Sequence, residues 1–394
     1  MRVVFFLLGC CLFFNSTYAA QENCEQQQCI AIVDAGSTGS RLHIYSYDLE
    51  GKTPVNITER YSKKIKPGLA TIEANEPTVD AYLTTLFSGA PAYQIPVYFY
   101  STAGMRLLPQ PKQQQMNNLV QQWFTNQSQW QLVEAKTITG TDEGMYGWLA
   151  INYQLDTLKN DSETVGTMDM GGASVQIVFP VSASSETDSK DIREFDIYGR
   201  HFKLFIHSFL GLGQTEVTHQ FLDDSVCFAN DYQMPAGEKG QGDAYVCEGE
   251  ISSLMNAVHH VNRVVQPALQ ANPVKNWYVM GGLVDLAKSQ PFNYTEQEFN
   301  NQSLLDEANS QICQQQWGSL NSQFPGNEYL YGYCLFPAYY YALMVDGYGL
   351  NSQQPLHYLG ADKSSDWTIG VVLQQPQQGL ANRFKLSNNH LMPL

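Results

Sequence analysis

Two short stretches carry residues whose types and spacing suit phosphate chemistry. An apolar run ends at Val33-Asp34 and leads into Ala35-Gly36-Ser37-Thr38-Gly39-Ser40; another ends at Met168-Asp169 and leads into Met170-Gly171-Gly172-Ala173-Ser174. Glycine and serine after a strand let several backbone N–H groups converge on one anion, because no large side chain intrudes. Gly36, Ser37, Thr38, Gly39 and Ser40 form one such nest, and Gly171, Gly172 and Ala173 with Ser174 form the other. Asp34 and Asp169, at the strand ends, suit Mg2+ or Ca2+ held directly or through water, since these cations take oxygen ligands beside phosphates. Each loop alone reads as an ordinary hairpin turn. The repetition of strand, acid, glycine loop and strand favours two related lobes, whose nests would grip a chain of phosphates between them.

The elements that must position these loops follow from periodicity. Ile30 to Asp34 and Leu42 to Tyr47 read as strands, as do Thr167 to Asp169 and Val175 to Phe179. Ile95 to Tyr100 is a buried strand running into a helix that begins near Ser101 or Thr102. Gln131 to Ile138 reads as a strand, and Asp142 to Tyr153 as a helix with Met145, Trp148, Leu149 and Asn152 along one face. Ser182 to Lys190 reads as a polar loop. Leu254, Val258, Val261, Val264 and Val265 predict one helix over residues 250–269, and Trp277 to Met280 is a strand ending at Gly281-Gly282. Alternating strands and helices indicate an α/β sheet in each lobe, and the length exceeds what one core usually serves.

The net charge of -16 argues against nucleic acid as a partner, because that binding rests on Lys and Arg. It also means that a polyphosphate substrate needs a cation between itself and the protein. Met1-Arg2, the apolar run Val3 to Phe14 and the small residues before Gln21 have the order of a secretory signal, residues 1–20. A lipid anchor at Cys10 would leave too short an apolar core. No later stretch has the roughly 20 apolar residues of a membrane helix, so the chain is expected to be secreted or periplasmic, with no membrane anchor. Six cysteines remain after the signal. Their spacing predicts Cys24 with Cys29, Cys227 with Cys247 and Cys313 with Cys334, and it lacks the short repeats of a zinc site. Gln113 to Gln115 and Gln374 to Gln378 read as solvated surface. Sequons at Asn56, Asn126, Asn160, Asn293 and Asn301 would carry glycans only on a eukaryotic secretory route.

Five segments together resemble the ecto-apyrase (nucleoside triphosphate diphosphohydrolase) family: Val33 to Arg41, Ser101 to Arg106, Gly140 to Gly144 with Gly147-Trp148, Asp169 to Gln176, and Trp367 to Gly370. They occur in the family's order across nearly the whole mature chain. The resemblance implies the two-lobed α/β fold shared with actin, sugar kinases and exopolyphosphatases, with the nucleotide in a cleft between lobes. The first lobe is expected over residues 21–147, rejoined by 365–394, and the second over 148–364. No covalent phosphoenzyme is implied; water attacks the terminal phosphorus. Glu143 matches the family's general base, Ser174 and Gln176 match residues that position the water, and Thr102 matches one that reaches the phosphates or the cation's waters. An acid in a first helical turn is also favoured by the helix dipole alone. Asp142 has the same chemistry, but the family's Glu-Gly pair falls on Glu143-Gly144. Arg106 either neutralises phosphate or pairs with a carboxylate between lobes. For the base, the chain lacks the family's Phe-Ser-Ala-Phe type of loop. Gly281-Gly282 resembles instead the adenosine loop of the wider superfamily, and Tyr329, Tyr331 and Tyr333 offer an aromatic face.

The expected function is that of a monomeric apyrase acting on nucleoside tri- and diphosphates with Mg2+ or Ca2+. The competing readings are an exopolyphosphatase, a nucleoside diphosphatase or a phosphotransferase of the same superfamily, and a catalytically silent nucleotide-binding protein. Export argues against a kinase, which needs cytosolic ATP. Glu143 and Gln176 beside intact nests argue against a silent binder, which needs neither.

Overall fold

Alternating apolar strands and amphipathic helices, as expected, build two α/β units. The computed structural model describes residue 24 and residues 28–91, 95–159, 161–182 and 189–374. The expected signal, the sequon at Asn160, residues 375–378 of the Gln-rich patch and residues 183–188 of the polar loop lie outside the described residues. The first unit ends at Thr139 and takes in the chain from Thr368; the second is Gly140–Trp367. The chain thus crosses between units at the edge of one motif, before Gly140, and inside another, between Trp367 and Thr368. The first crossing comes before, not within, the continuous helix Gly140–Gln154.

In the first unit the strands are β1 (Gln28–Ala35), β2 (Ser40–Glu50) and β3 (Thr53–Ile65), then helix α1 (Glu76–Phe87), β4 (Ile95–Ser101), the single turn α2 (Ala103–Arg106), α3 (Gln110–Thr125) and β5 (Trp130–Thr137). They pair in the order β3-β2-β1-β4-β5. The second unit begins with α4 (Gly140–Gln154), β6 (Gly166–Met170), β7 (Ser174–Pro180), β8 (Ile192–Ile197), β9 (Arg200–Leu210) and α5 (Gln214–Gln220). It continues with α6 (Ala244–Val258), α7 (Val261–Ala271), β10 (Trp277–Gly281), α8 (Gly282–Lys288), β11 (Glu298–Phe299), α9 (Asn301–Ala308), α10 (Trp317–Gln323), α11 (Leu335–Tyr341) and β12 (Leu356–His357). Its sheet runs β11-β12-β10-β6-β7-β9-β8.

The central strands of this second sheet, β9-β7-β6-β10-β12, repeat the first sheet. In both, the first three strands named are mutually antiparallel and the last two add in parallel. The two glycine loops occupy equivalent places, joining β1 to β2 and β6 to β7. The suspected duplication therefore extends from two loops to two sheets.

Each sheet buries its apolar face. In the first unit Val33, Leu42 and Ile44 pack with Val79, Leu83 and Leu86 of α1 and with Met116 and Val120 of α3, all at 0 or 1% exposure. Each such side chain contributes roughly 1.5–3 kcal/mol of transfer free energy. In the second, Ile177, Phe179, Phe205 and Trp277 form a core with the tyrosines of α11. Trp148 and Asn152, on the predicted buried face of α4, anchor the entry to β6. The Trp148 indole donates to the Val165 carbonyl at 2.8 Å, and the Asn152 Oδ1 accepts from the Val165 N–H at 2.9 Å.

Two expectations are corrected. The helix predicted over 250–269 is two helices, α6 and α7, separated at His259-His260, where His260 takes a left-handed φ of 53°. A helical apolar period continued across a break that no glycine or proline marks. Asn301 is 1% exposed at the start of α9, so its sequon is inaccessible in the folded chain. The three disulfides are those the spacing predicted. No described helix is long and apolar enough to cross a membrane.

Candidate active site

In the second unit the glycine loop is held by its carbonyls. The N–H of Gln214 donates to Gly171 O at 2.9 Å, that of Thr215 to Gly172 O at 2.8 Å, and that of Gly211 to Ala173 O at 2.9 Å. The first turn of α5, whose N–H groups have no partners within the helix, thus ties down the carbonyls of Gly171 and Gly172, and Gly211, ahead of the helix, holds that of Ala173. The N–H groups of Gly172 and Ala173 donate to none of the described residues, the arrangement an anion nest requires. Contact this close depends on Gly213, where a Cβ would lie 2.3 Å from the Ala173 nitrogen. Its φ of -70° and ψ of 157° would accept any residue, so the glycine is needed for space.

Beside this loop lie the predicted catalytic side chains. Ser174 and Gln176 are buried on one face of β7, and Glu143, 8% exposed, stands in the first turn of α4. The Gln176 Nε2 is 2.8 Å from Ser174 Oγ, 3.0 Å from Ser208 Oγ and 3.3 Å from Glu143 Oε2. An amide nitrogen has two hydrogens, so it can donate to only two of these three oxygens at a time. Ser208, on β9 directly across from Gln176, is a member of this cluster that the sequence reading missed. Gly144 permits the approach of α4 to the sheet: a Cβ there would meet Val178 and Ile206 methyls at 3.1 Å and Gln176 Cβ at 3.3 Å.

Asp169, paired with Gln176 across β6 and β7, has its carboxyl pushed up to about 7, chiefly by burial and then by Glu143 and Asp366. Among the described residues no three His, Cys, Asp or Glu side chains form a closed metal cage. The chemistry of Asp169 nevertheless fits a hard divalent cation carried partly by water. A cation there would relieve both the desolvation and the repulsion from neighbouring acids.

Gly281 and Gly282 adjoin this region. Gly281 has φ 72°, and a Cβ on it would lie 2.5 Å from Met170 O and 3.1 Å from Asp169 Oδ1. A Cβ on Gly282 would lie 2.6 Å from Gln214 Oε1. Close packing against the Asp169 loop therefore accounts for Gly281, and the Gln214 side chain for Gly282. The three tyrosines do not form one face. Tyr329 is half exposed, Tyr331 is partly buried near Tyr232 and Phe336, and Tyr333 is in the core with its hydroxyl accepting from Asn327 at 3.1 Å.

In the first unit the loop Gly36 to Gly39 is confined by backbone from two other segments. A Cβ on Gly68 would lie 2.2 Å from Ser37 O, and one on Gly104 would lie 2.8 Å from Ser37 Cα. Thr102 precedes α2, is 4% exposed and donates its N–H to Ala35 O at 3.2 Å. Ser40 is fully buried, its hydroxyl 2.8 Å from Tyr82 Oη, so it supports the loop from below. Arg106 donates from Nη1 to Ile138 O at 3.1 Å. Asp34 ends β1 with its carboxylate oxygens 3.7 and 3.9 Å from where a Gly36 Cβ would stand.

Comparison with known proteins gives the family and the fold. Residues 20–387 match the GDA1/CD39 (nucleoside phosphatase) family. Ectonucleoside triphosphate diphosphohydrolase 1 of Mus musculus is 27% identical over 87% of this chain and 79% of its own length; Apyrase 1 of Arabidopsis thaliana is 29% identical over 86% and 81%. Among solved structures, a nucleoside triphosphate hydrolase from Neospora caninum superposes with a TM-score of 0.60 at 14% identity, covering 91% of this chain and 95% of its own. An Aquifex aeolicus Ppx/GppA protein gives 0.54 at 14% identity, covering 89% and 98%. These two fix the fold as that of the actin-like phosphohydrolases. With the family match running through every motif of both units, the chain belongs to the GDA1/CD39 (nucleoside phosphatase) family and is a hydrolase.

Proposed function

We propose that this protein is an apyrase, removing the terminal phosphate from nucleoside triphosphates and then from the diphosphates. The observation that carries the reading is the cluster Glu143, Ser174, Gln176 and Ser208 beside a loop whose carbonyls are occupied and whose Gly172 and Ala173 amides have no acceptor among the described residues. In one unit it joins a base, groups able to hold a water and a site for anionic oxygens.

In this mechanism Ser174 and Gln176 hold the attacking water, and Glu143 takes its proton as the oxygen approaches the terminal phosphorus. A phosphorus–oxygen bond forms to the water oxygen, and the bond to the bridging oxygen breaks, so the shortened nucleotide leaves with the bridging electron pair. The amides of Gly172 and Ala173 steady the charge on the phosphate oxygens. The loop Gly36 to Gly39, with Thr102 and Arg106, is assigned phosphate oxygens as well. Asp34 and Asp169 would hold Mg2+ or Ca2+ mostly through water, and a bound cation would supply positive charge to the phosphates. Three disulfides support a place outside the reducing cytoplasm.

The test is phosphate release from ATP, ADP and polyphosphate, each with and without Mg2+ or Ca2+. Release from both nucleotides, dependent on the cation, is expected. Release from polyphosphate alone would make the chain an exopolyphosphatase, and nucleotide binding without release would make it a silent binder.

A further inference from the structure

Groups that the proposed mechanism leaves unused are buried close to the second glycine loop. Helix α11 contributes two adjacent, fully buried tyrosines to the core of the second unit. Tyr339 donates its hydroxyl to Leu212 O, and Tyr340 donates to Gln214 Oε1 at 2.6 Å. Leu212 and Gln214 flank Gly213, the residue pressed against Gly172 and Ala173, and the Gln214 N–H holds the Gly171 carbonyl. A continuous chain of hydrogen bonds thus runs from the phenol of Tyr340 through Gln214 to the glycine loop. Burial, with Asp285 and Asp169 nearby, holds the Tyr340 phenol far above its usual range, so it remains a donor at any working pH. Gly282 leaves the room this contact needs, since a Cβ there would lie 3.1 Å from Tyr340 Oη and 2.6 Å from Gln214 Oε1.

We infer that Tyr340 and Gln214 are positioning residues for phosphate binding, fixing through α5 the direction in which the Gly172 and Ala173 amides point. The inference rests on the phosphate role assigned to that loop. A hydrogen bond of this length from a buried phenol defines the rotation of the half-buried Gln214, whose backbone is the first donor to the loop. Without it, the first turn of α5 keeps its helical bonds but loses the restraint that orders it laterally. The carbonyls it grips then sample more positions, and the amides on the same peptides move with them. The cost appears in phosphate binding because an anion nest works only when its N–H groups converge.

Tyr340→Phe removes one hydroxyl and keeps the packing; Gln214→Leu removes the acceptor. Each is expected to lower kcat/KM for ATP about tenfold, the scale of one buried hydrogen bond. The double variant should be no worse than either single one, because both delete the same contact. The comparison is made at 25 °C on protein whose circular dichroism shows it fully folded, so a merely structural role would lower the melting temperature and leave kcat/KM unmoved. Gly213→Ala, which strikes the loop directly, serves as the loop control. If Gly213→Ala cuts kcat/KM while Tyr340→Phe and Gln214→Leu match the parent, the positioning inference is overturned and the phosphate role of the loop stands. If Gly213→Ala folds and matches the parent too, or the parent releases no phosphate from ATP or ADP, the phosphate role falls and the inference falls with it. Should Tyr340→Phe fail to fold, Gln214→Leu, at a half-buried helix start, carries the same test.

Discussion

The two glycine loops occupy the same place in two sheets of the same topology, yet they are secured differently. The first is walled in: Gly68 and Gly104 bring backbone against Ser37 from other segments, and buried Ser40 and Tyr82 support it. The second is bonded in, with the carbonyls of Gly171 and Gly172 tied to the start of α5 and that of Ala173 tied to Gly211 just before it. It adjoins the buried Glu143 and Gln176 and the half-buried Ser208. Under the proposed function both loops bind phosphate, and the second also stands beside the groups proposed to hold the water and take its proton.

The largest effect should come from the group that makes the second unit different. Glu143→Gln is expected to lower kcat by 10² to 10⁴-fold, as for a positioned general base, with nucleotide affinity nearly unchanged. Asp142→Asn, the adjacent acid, should have a small effect. A Glu143→Gln enzyme retaining more than about a tenth of normal turnover is incompatible with the role, and a large loss in Asp142→Asn would move it one residue.

The units should also separate in stability under reduction. Cys227–Cys247 and Cys313–Cys334 span 20 and 21 residues within the second unit, whereas Cys24–Cys29 spans only 5. Each longer bridge should contribute about 3 kcal/mol by restricting the unfolded chain. Hydrogen exchange after reduction should therefore rise in β6 and β7 more than in β1 and β2. Equal loss of protection in the two hairpins would contradict this assignment.

The close glycines sharpen the contrast in catalysis. Gly68 and Gly213 both have backbone angles open to any residue, so Gly68→Ala and Gly213→Ala test space alone. Overpacking of this kind costs about 1–3 kcal/mol. Gly213→Ala should lower kcat and raise KM, because its loop leads directly into Ser174, whereas Gly68→Ala should chiefly raise KM. Steady-state kinetics showing the same pattern for both would remove the distinction between grip and chemistry.

The smallest effect concerns protons. With its folded carboxyl raised to about 7, Asp169 holds a proton more tightly in the folded chain than in the unfolded one. Without cation, that contribution is complete below the ordinary carboxylate range and is lost as pH rises towards and through about 7, with a slope of at most ~1.4 kcal/mol per unit. Melting curves of the cation-free protein should show this loss between pH 4 and 8, and Asp169→Asn should flatten it. Mg2+ should raise the melting temperature more at pH 8 than at pH 5, where protons compete for the carboxyl. A magnesium effect independent of pH would remove Asp169 from the cation's surroundings.

The sequence by itself determined the parts whose information is local. A glycine loop after an apolar strand is written in consecutive residues, and so is an acid in the first turn of a helix. Closely spaced cysteine pairs gave the disulfides because short separations leave little choice of partner. Ser208, Gly68, Gly213 and the Tyr340–Gln214 contact were decided by tertiary structure. Each becomes meaningful only when β9, α5 or α11 is brought against a loop distant in sequence, and nothing in its own neighbourhood marks it. The break at His259-His260 was hidden for a related reason: a left-handed residue without glycine keeps the helical period of its neighbours while turning the chain. Strand β3, with one charged and exposed face, likewise acquires its identity only by pairing with β2. Local chemistry thus marked the two glycine loops, and long-range packing determined how each is held and which side chains of its own unit lie beside it.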